Sequence, residues 1–250
     1  MDRLHLILER YFGYRAFYPY QREIIQDLLA GRDVLAVLAT GGGKSLCYQV
    51  PAVLGDGVTV VVSPLIALMK DQVDSLQARG ICAAALNSSG TYAARRRTLA
   101  ELEEGLLQIL YVSPERAVSE VFLDLVASLP LNLIAVDEAH CISMWGHQFR
   151  PEYRALAVLK ERFHSVPVVA LTATATPDVR QDIVRQLMLA DPAVYVGSFN
   201  RENLRYVVTP KGGDVYRRLR NYLLMRRGEA GIVYLATREG ARELAASLRA

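Results

Sequence analysis

The sequence predicts an α/β fold built on a doubly wound, mostly parallel sheet, and three observations carry that prediction. Short apolar runs recur along the chain, each followed by a longer stretch of helical period. The runs are apolar at nearly every position, as strands buried on both faces of a parallel sheet must be. Glycine-rich, hydroxyl-rich or acidic segments begin directly after several of the runs. They would therefore share the carboxyl edge of the sheet, where open α/β sheets gather their ligands.

In chain order the runs fall at 34–38, 58–62, 82–86, 108–112, 131–136 and 168–171. Between them lie predicted helices. One spans 45–53. A second, 65–79, is opened by Pro64, and a third, 177–189, carries Pro177 and Asp178 in its first turn. Proline at a helix start removes a donor that had no partner there, so it marks an opening rather than a break. The segment 191–203 is polar and poor in helix formers in its second half, as a connection between domains would be. Beyond it, 205–209, 215–226, 231–235 and 238–249 read as strand, helix, strand, helix. Two such units supply too few strands for an independent sheet. The expected organisation is a first domain over 1–203 and the beginning of a second, over 204–250, cut off at Ala250.

Composition narrows the class of protein. The chain has 250 residues, 52% hydrophobic and 22% charged, enough for one large domain and a remainder. No apolar run reaches the roughly 18 residues that would span a bilayer. The first residues, MDRLHLILERYF, lack the apolar stretch and cleavage site of a signal peptide. A cytoplasmic protein is expected, on the nucleoid if the source is bacterial. Cys47, Cys82 and Cys141 have no paired spacing, which argues against disulfides or a zinc site. A net charge of +3 permits a polyanionic partner without requiring one.

The most specific local signal is the heptapeptide ATGGGKS ending at Ser45, between a predicted strand and a predicted helix. That context is what a phosphate-binding P-loop needs. Gly41, Gly42 and Gly43, with Thr40 before them, let the backbone turn its N–H groups inward on phosphate oxygens, aided by the helix N-terminus. Lys44 is expected to reach the β- and γ-phosphates of ATP, and the Ser45 hydroxyl to coordinate Mg²⁺. Leu38 stands where the generic pattern begins with glycine. About ninety residues later, at the end of another apolar run, come Asp137, Glu138, Ala139 and His140. Asp137 can hold Mg²⁺, Glu138 can deprotonate the attacking water, and His140 can pass nucleotide state to other segments by hydrogen bonds.

These segments belong to an ordered series: FGY at 12–14, FYPYQ at 17–21, TGGGKSLCYQ from Thr40, VSPLIALMKDQV from Val62, SPER from Ser113, DEAHCISMWGHQFRPEY from Asp137 and LTATAT from Leu171. In that series the chain resembles the RecQ family of DEAH-type superfamily 2 DNA helicases, over essentially its whole length. The resemblance implies RecA-like P-loop NTPase domains and ATP and Mg²⁺ as cofactors. It implies single-stranded and partially duplex DNA as partners, with 3′-to-5′ movement. It also implies that Gln21 reads the adenine while Tyr14 packs against the base, and that a γ-phosphate arginine comes from the second domain. Zinc-binding and winged-helix regions would lie beyond residue 250. The chain departs from the family pattern at Tyr18, Met144 and Gln148, where arginine, glutamine and aspartate are usual.

The loop 141–153 interleaves Trp145, Phe149 and Tyr153 with His147, Arg150 and Arg154. Bases stack on rings and guanidinium groups meet phosphates, so this composition suits single-stranded nucleic acid. The local pattern also fits core residues at Trp145 and Phe149, but the segment lacks helical or strand period and follows the carboxylates directly. It resembles the family's aromatic-rich loop, which couples DNA binding to ATP turnover. Ser63, Lys70, Ser113, Arg116, Thr172 and Thr174 follow strands at the same edge and suit a groove that tracks backbone phosphates. Asn200, Arg201, Asn203, Tyr234, Thr237 and Arg238 match family positions near DNA. The run Arg95–Arg96–Arg97 reads as a solvated helix face. Two rival readings remain at this point: another superfamily 2 member acting on RNA, and a fragment that binds ATP or DNA without unwinding.

Overall fold

Strands form where the apolar runs lie, because only a run apolar on both sides can be covered on both faces by helices. The computed structural model describes residues 2–86, 91–145, 149–198 and 204–249. Its strands are β1 (Val34–Val37), β2 (Val58–Val62), β3 (Ala83–Leu86), β4 (Ile109–Val112), β5 (Leu131–Val136), β6 (Val168–Thr172) and β7 (Ala193–Val196). They make one sheet in the order β3-β4-β2-β5-β6-β1-β7, parallel at every pairing. The expected doubly wound sheet is present, and wholly rather than mostly parallel.

Alternate residues of each strand feed two cores. Leu35 and Val37 of β1 join Val60, Val62, Leu110 and Val112 on one face. Val34 and Ala36 join Val61, Ile109, Tyr111 and Val169 on the other. At the amino end of β1 the buried Asp33 carboxylate ties three segments together. Its Oδ1 accepts from Val168 N–H at 2.8 Å and Lys160 Nζ at 2.8 Å, and Oδ2 accepts from Ala190 N–H at 2.9 Å. A buried charge is tolerable only when fully hydrogen-bonded in this way.

Two expectations need correction. The connection expected over 191–203 begins instead with β7, which pairs with β1 from Val34↔Ala193 to Val37↔Val196. It is a short edge strand, alternately half-buried and exposed, so its composition resembles a loop. The chain divides into two compact units, Met1–Asn200 and Arg201–Ala250. In the second, helices Val215–Met225 and Arg238–Arg249 form, but the strands expected at 205–209 and 231–235 do not. Two short strands without further partners are marginal in water.

Candidate nucleotide site and nucleic-acid contacts

Because β2, β5, β6 and β1 are neighbours in that order, the loops after them converge on one edge. The loop after β1 turns back on itself through Gly42 N–H to Ala39 O at 2.9 Å. Gly41 and Gly43 take φ of +81° and +69°. The positive φ at Gly43 favours glycine there, and a β-carbon would also press on the end of the Gln21 side chain. Among the described residues, no backbone or side-chain acceptor meets the N–H groups of Gly41, Gly43, Lys44 or Ser45. These open donors precede helix Leu46–Leu54, so the loop fits a polyphosphate. Lys44 Nζ donates to Leu38 O at 3.2 Å.

Asp137 leaves β5 with its N–H on Val62 O at 2.9 Å, while its Oδ1 accepts from Glu138 N–H at 3.0 Å. Burial, reinforced by the neighbouring Glu138 charge, pushes its carboxyl up to about 6; Lys44 acts in the opposite direction. Glu138 sits in the left-handed region, φ 50° and ψ 42°. Such backbone in a non-glycine residue is held only by its surroundings. Its Oε2 lies 3.2 Å from His140 Nδ1, which also meets Thr172 Oγ1 at 2.9 Å. Thr172 Oγ1 donates to Thr174 O at 3.1 Å, so His140 Nδ1 is the donor to Thr172. The Cys141 sulfur and the Glu138 carboxylate raise the His140 pKa to about 10, against burial. His140 thus links the carboxylate motif to the segment after β6.

No group of three or more acidic, histidine or cysteine side chains suited to a metal occurs among the described residues. Ser45 and Asp137 fit Mg²⁺ better than a metal caged wholly by protein, because Mg²⁺ is commonly held by one or two carboxylates plus substrate phosphates.

Beside the loop opens a cleft of about 300 Å³, lined by Tyr14, Tyr18, Gln21, Gly43 and Ser45 among others. Tyr14 is half exposed there. Gln21 is 1% exposed and already engaged. Its Oε1 accepts from Tyr18 N–H at 2.8 Å and its Nε2 donates to Gly43 O at 2.9 Å, with Gly42 O at 3.4 Å. In this conformation Gln21 fastens the P-loop to the segment ahead of it.

The expected nucleic-acid contacts divide. Ser63 and Thr172 are buried, so their assignment to a DNA-contacting surface is corrected. Thr172 is spent on His140, and the Ser63 hydroxyl is enclosed without a partner. Thr174 and Lys70 are exposed, and Ser113 and Arg116 half-buried. Trp145 is 81% exposed and Phe149 partly exposed, which excludes the core reading. Arg154 lies over the Phe149 ring at 5.5 Å, and Arg150 Nη1 donates to Pro64 O at 3.3 Å. Arg95, Arg96 and Arg97 are exposed, as a solvated face should be. His147, Gln148, Asn200, Arg201 and Asn203 lie outside the described residues.

Two supporting residues, Tyr48 and Tyr111, escaped the sequence reading, and a third, Tyr153, was expected among the base-stacking aromatics but is buried instead. The Tyr48 and Tyr111 hydroxyls meet at 3.2 Å behind the site, and burial pushes both phenols upward so that they stay neutral. Tyr153, fully buried, donates its hydroxyl to Asp137 O at 2.9 Å. Tyr48 lies one helical turn after Ser45, a spacing that could have drawn attention to it; Tyr111 and Tyr153 are distant in sequence from their partners.

The pattern of the DEAD/DEAH box helicase family matches residues 18–183. The chain belongs to that family. Within it, this helicase-family chain is 47% identical over 249 residues to the ATP-dependent DNA helicase RecQ of Pasteurella multocida, covering 100% of this chain and 39% of the relative. It is 48% identical over 243 residues to the same-named protein of Haemophilus influenzae, with 97% and 39% covered. The chain therefore spans about two fifths of these relatives' length. A solved structure of a hypothetical ATP-dependent RNA helicase from Sulfolobus tokodaii superposes with a TM-score of 0.60 at 18% identity, over 79% of this chain and 57% of that one. At that identity it shows the fold alone, a RecA-like helicase domain.

Proposed function

We propose that this chain is the ATP-binding motor portion of a RecQ-type DNA helicase. It would couple ATP hydrolysis to 3′-to-5′ movement along single-stranded DNA and to opening of partially duplex DNA. The observation that carries this reading is the set of open N–H donors at Gly41, Gly43, Lys44 and Ser45, on the same sheet edge as Asp137 and Glu138. The identity to bacterial RecQ helicases supports the choice of DNA, and a cytoplasmic, nucleoid-associated protein is part of the same proposal.

ATP would enter with its base in the cleft between Tyr14 and Gln21 and its phosphates on the loop. Gln21 would trade its weaker contact, on Gly42 O, for the edge of the adenine. Lys44 would leave Leu38 O for the β- and γ-phosphates, a stronger, charge-assisted partner. Mg²⁺, held by Asp137 and Ser45, would neutralise charge developing on the phosphates. Glu138 would take the proton of the attacking water, and His140 would report the change to Thr172 and Thr174. Trp145, Phe149, Arg150 and Arg154, with Lys70, Ser113, Arg116 and Thr174, would meet the DNA strand.

Titration with a non-hydrolysable ATP analogue tests the loop. Lys44→Ala should abolish measurable binding, and unchanged affinity would refute the assignment. Phosphate release in the presence of matched DNA and RNA strands tests the partner, and stimulation by RNA alone would move the protein to an RNA helicase.

A further inference from the structure

Helix Leu46–Leu54 starts from Ser45, whose side chain makes no capping bond to the helix it opens. Its hydroxyl is therefore left to other partners. One turn later Tyr48 N–H donates to Ser45 O at 3.2 Å, so the two side chains share one side of the first turn. Tyrosine on a helix leans back toward the N-terminus, and the Tyr48 phenol comes within hydrogen-bonding reach of the Ser45 hydroxyl. The same phenol meets the Tyr111 hydroxyl, from β4, at 3.2 Å. The two rings cross at 76° with centroids 6.4 Å apart, and both residues are fully buried. Gln49 borders the Tyr111 hydroxyl. Its Nε2 donates to Gln72 Oε1 at 3.1 Å, which leaves its own carbonyl to accept.

Phenylalanine would fill this core without the cost of burying two hydroxyls. Neither ring reaches the surface, so neither can touch nucleotide or DNA. The pair can, however, decide where one hydrogen points. A hydroxyl has one hydrogen and two lone pairs. When Ser45 gives its hydrogen to Tyr48, its oxygen keeps both lone pairs for a cation. When Tyr48 instead points its hydrogen at Ser45, one of those lone pairs is spent. Tyr111 sets the choice by accepting from Tyr48, and it can do so because Gln49 can accept from Tyr111 in turn.

We propose that Tyr48 and Tyr111 are positioning residues for Mg²⁺: Ser45 donates to Tyr48 and Tyr48 to Tyr111, which leaves the Ser45 oxygen open to the metal it would share with Asp137. The inference rests on the P-loop reading of Ser45 and deepens it. Tyr111 acts on the metal only through Tyr48, so their effects should be coupled rather than additive.

A non-hydrolysable ATP analogue would be titrated by calorimetry into the full chain, once with saturating Mg²⁺ and once in EDTA. The ratio of the two affinities measures what the metal adds. Tyr48→Phe keeps the ring and should cut that ratio about fivefold, as the loss of one hydrogen bond would, with affinity in EDTA unchanged. Tyr111→Phe turns the Tyr48 hydrogen back onto Ser45, so it should cut the ratio at least as far. The double variant should match Tyr48→Phe alone. An unchanged ratio in either single variant, or equal losses with and without Mg²⁺, would overturn the inference and leave the pair as core packing. Losses that add in the double variant would overturn it too, since they would mark two independent structural effects. If Mg²⁺ adds nothing in the parent chain, Ser45 is not a metal ligand, and the inference falls together with that part of the P-loop reading.

Discussion

A buried carboxylate beside another resists ionisation, and Asp137 bears that cost at the position where a charge is useful. Its folded pKa near 6 stands above the ordinary 3.8. A raised carboxyl contributes stability that is fully present below 3.8 and is lost as pH rises through about 6. Asp137→Asn retains an acceptor for Glu138 N–H and removes the buried charge. It should therefore melt higher than the parent well above pH 6, and the advantage should vanish below 3.8. Mg²⁺-dependent nucleotide binding should be lost in the same variant. Melting curves across that range check the sign, and a variant less stable at high pH would contradict the account. At this scale the placement of Lys44, Asp137 and Glu138 on one sheet edge was legible in the sequence, because glycine spacing and an acidic pair at a strand end are local patterns. Ser63 and Thr172 were misplaced, because whether a hydroxyl after a strand faces solvent depends on which loops close over it. His140, bonded to Thr172 across 32 residues, does part of that closing.

Between elements, helix Pro151–Arg154 is fastened to the end of β5 by one hydrogen bond, from the Tyr153 hydroxyl to Asp137 O. That bond joins the far side of the aromatic loop to the residue preceding the left-handed Glu138. Tyr153→Phe keeps the ring in its core and strands a carbonyl, at a cost of about 1–3 kcal/mol. In a chain of this size that is a fall of roughly 2–12 °C in Tm. A thermal melt indistinguishable from the parent would show that the carbonyl finds another donor. The five inner strands and the edge strand β3 were visible in the sequence because burial on both faces leaves continuous apolar runs. β7 was not, since an edge strand of four residues, alternately half-exposed, carries the signature of a loop. At 205–209 and 231–235 the opposite error arose. Runs with strand composition lack the neighbours that would turn them into a ladder.

The whole molecule is uneven in what holds it together. The first unit packs both faces of its sheet, with Asp33 binding β1, β6 and the approach to β7. The second has no buried residue in either helix, Val215–Met225 or Arg238–Arg249. Among the described residues its ties are mostly local, such as the caps at Asp214 and Thr237, Arg218 on the Pro210 and Gly212 carbonyls and the Arg226–Glu229 pair, while the Tyr216 hydroxyl reaches Ser247 O at 2.7 Å. Helices of 11 and 12 residues are marginal in water without a packed face. Hydrogen exchange should accordingly find slow amides confined to the sheet and helices of 1–200, with both helices beyond it exchanging at nearly unprotected rates. The single cooperative melt should belong to the first unit, so removing 201–250 should shift Tm by little. The same comparison separates stability from function, because the nucleotide loop and the carboxylates all lie in the first unit. ATP-analogue affinity should survive the deletion, whereas a large loss of either Tm or affinity would mean that the second unit supports the first in solution.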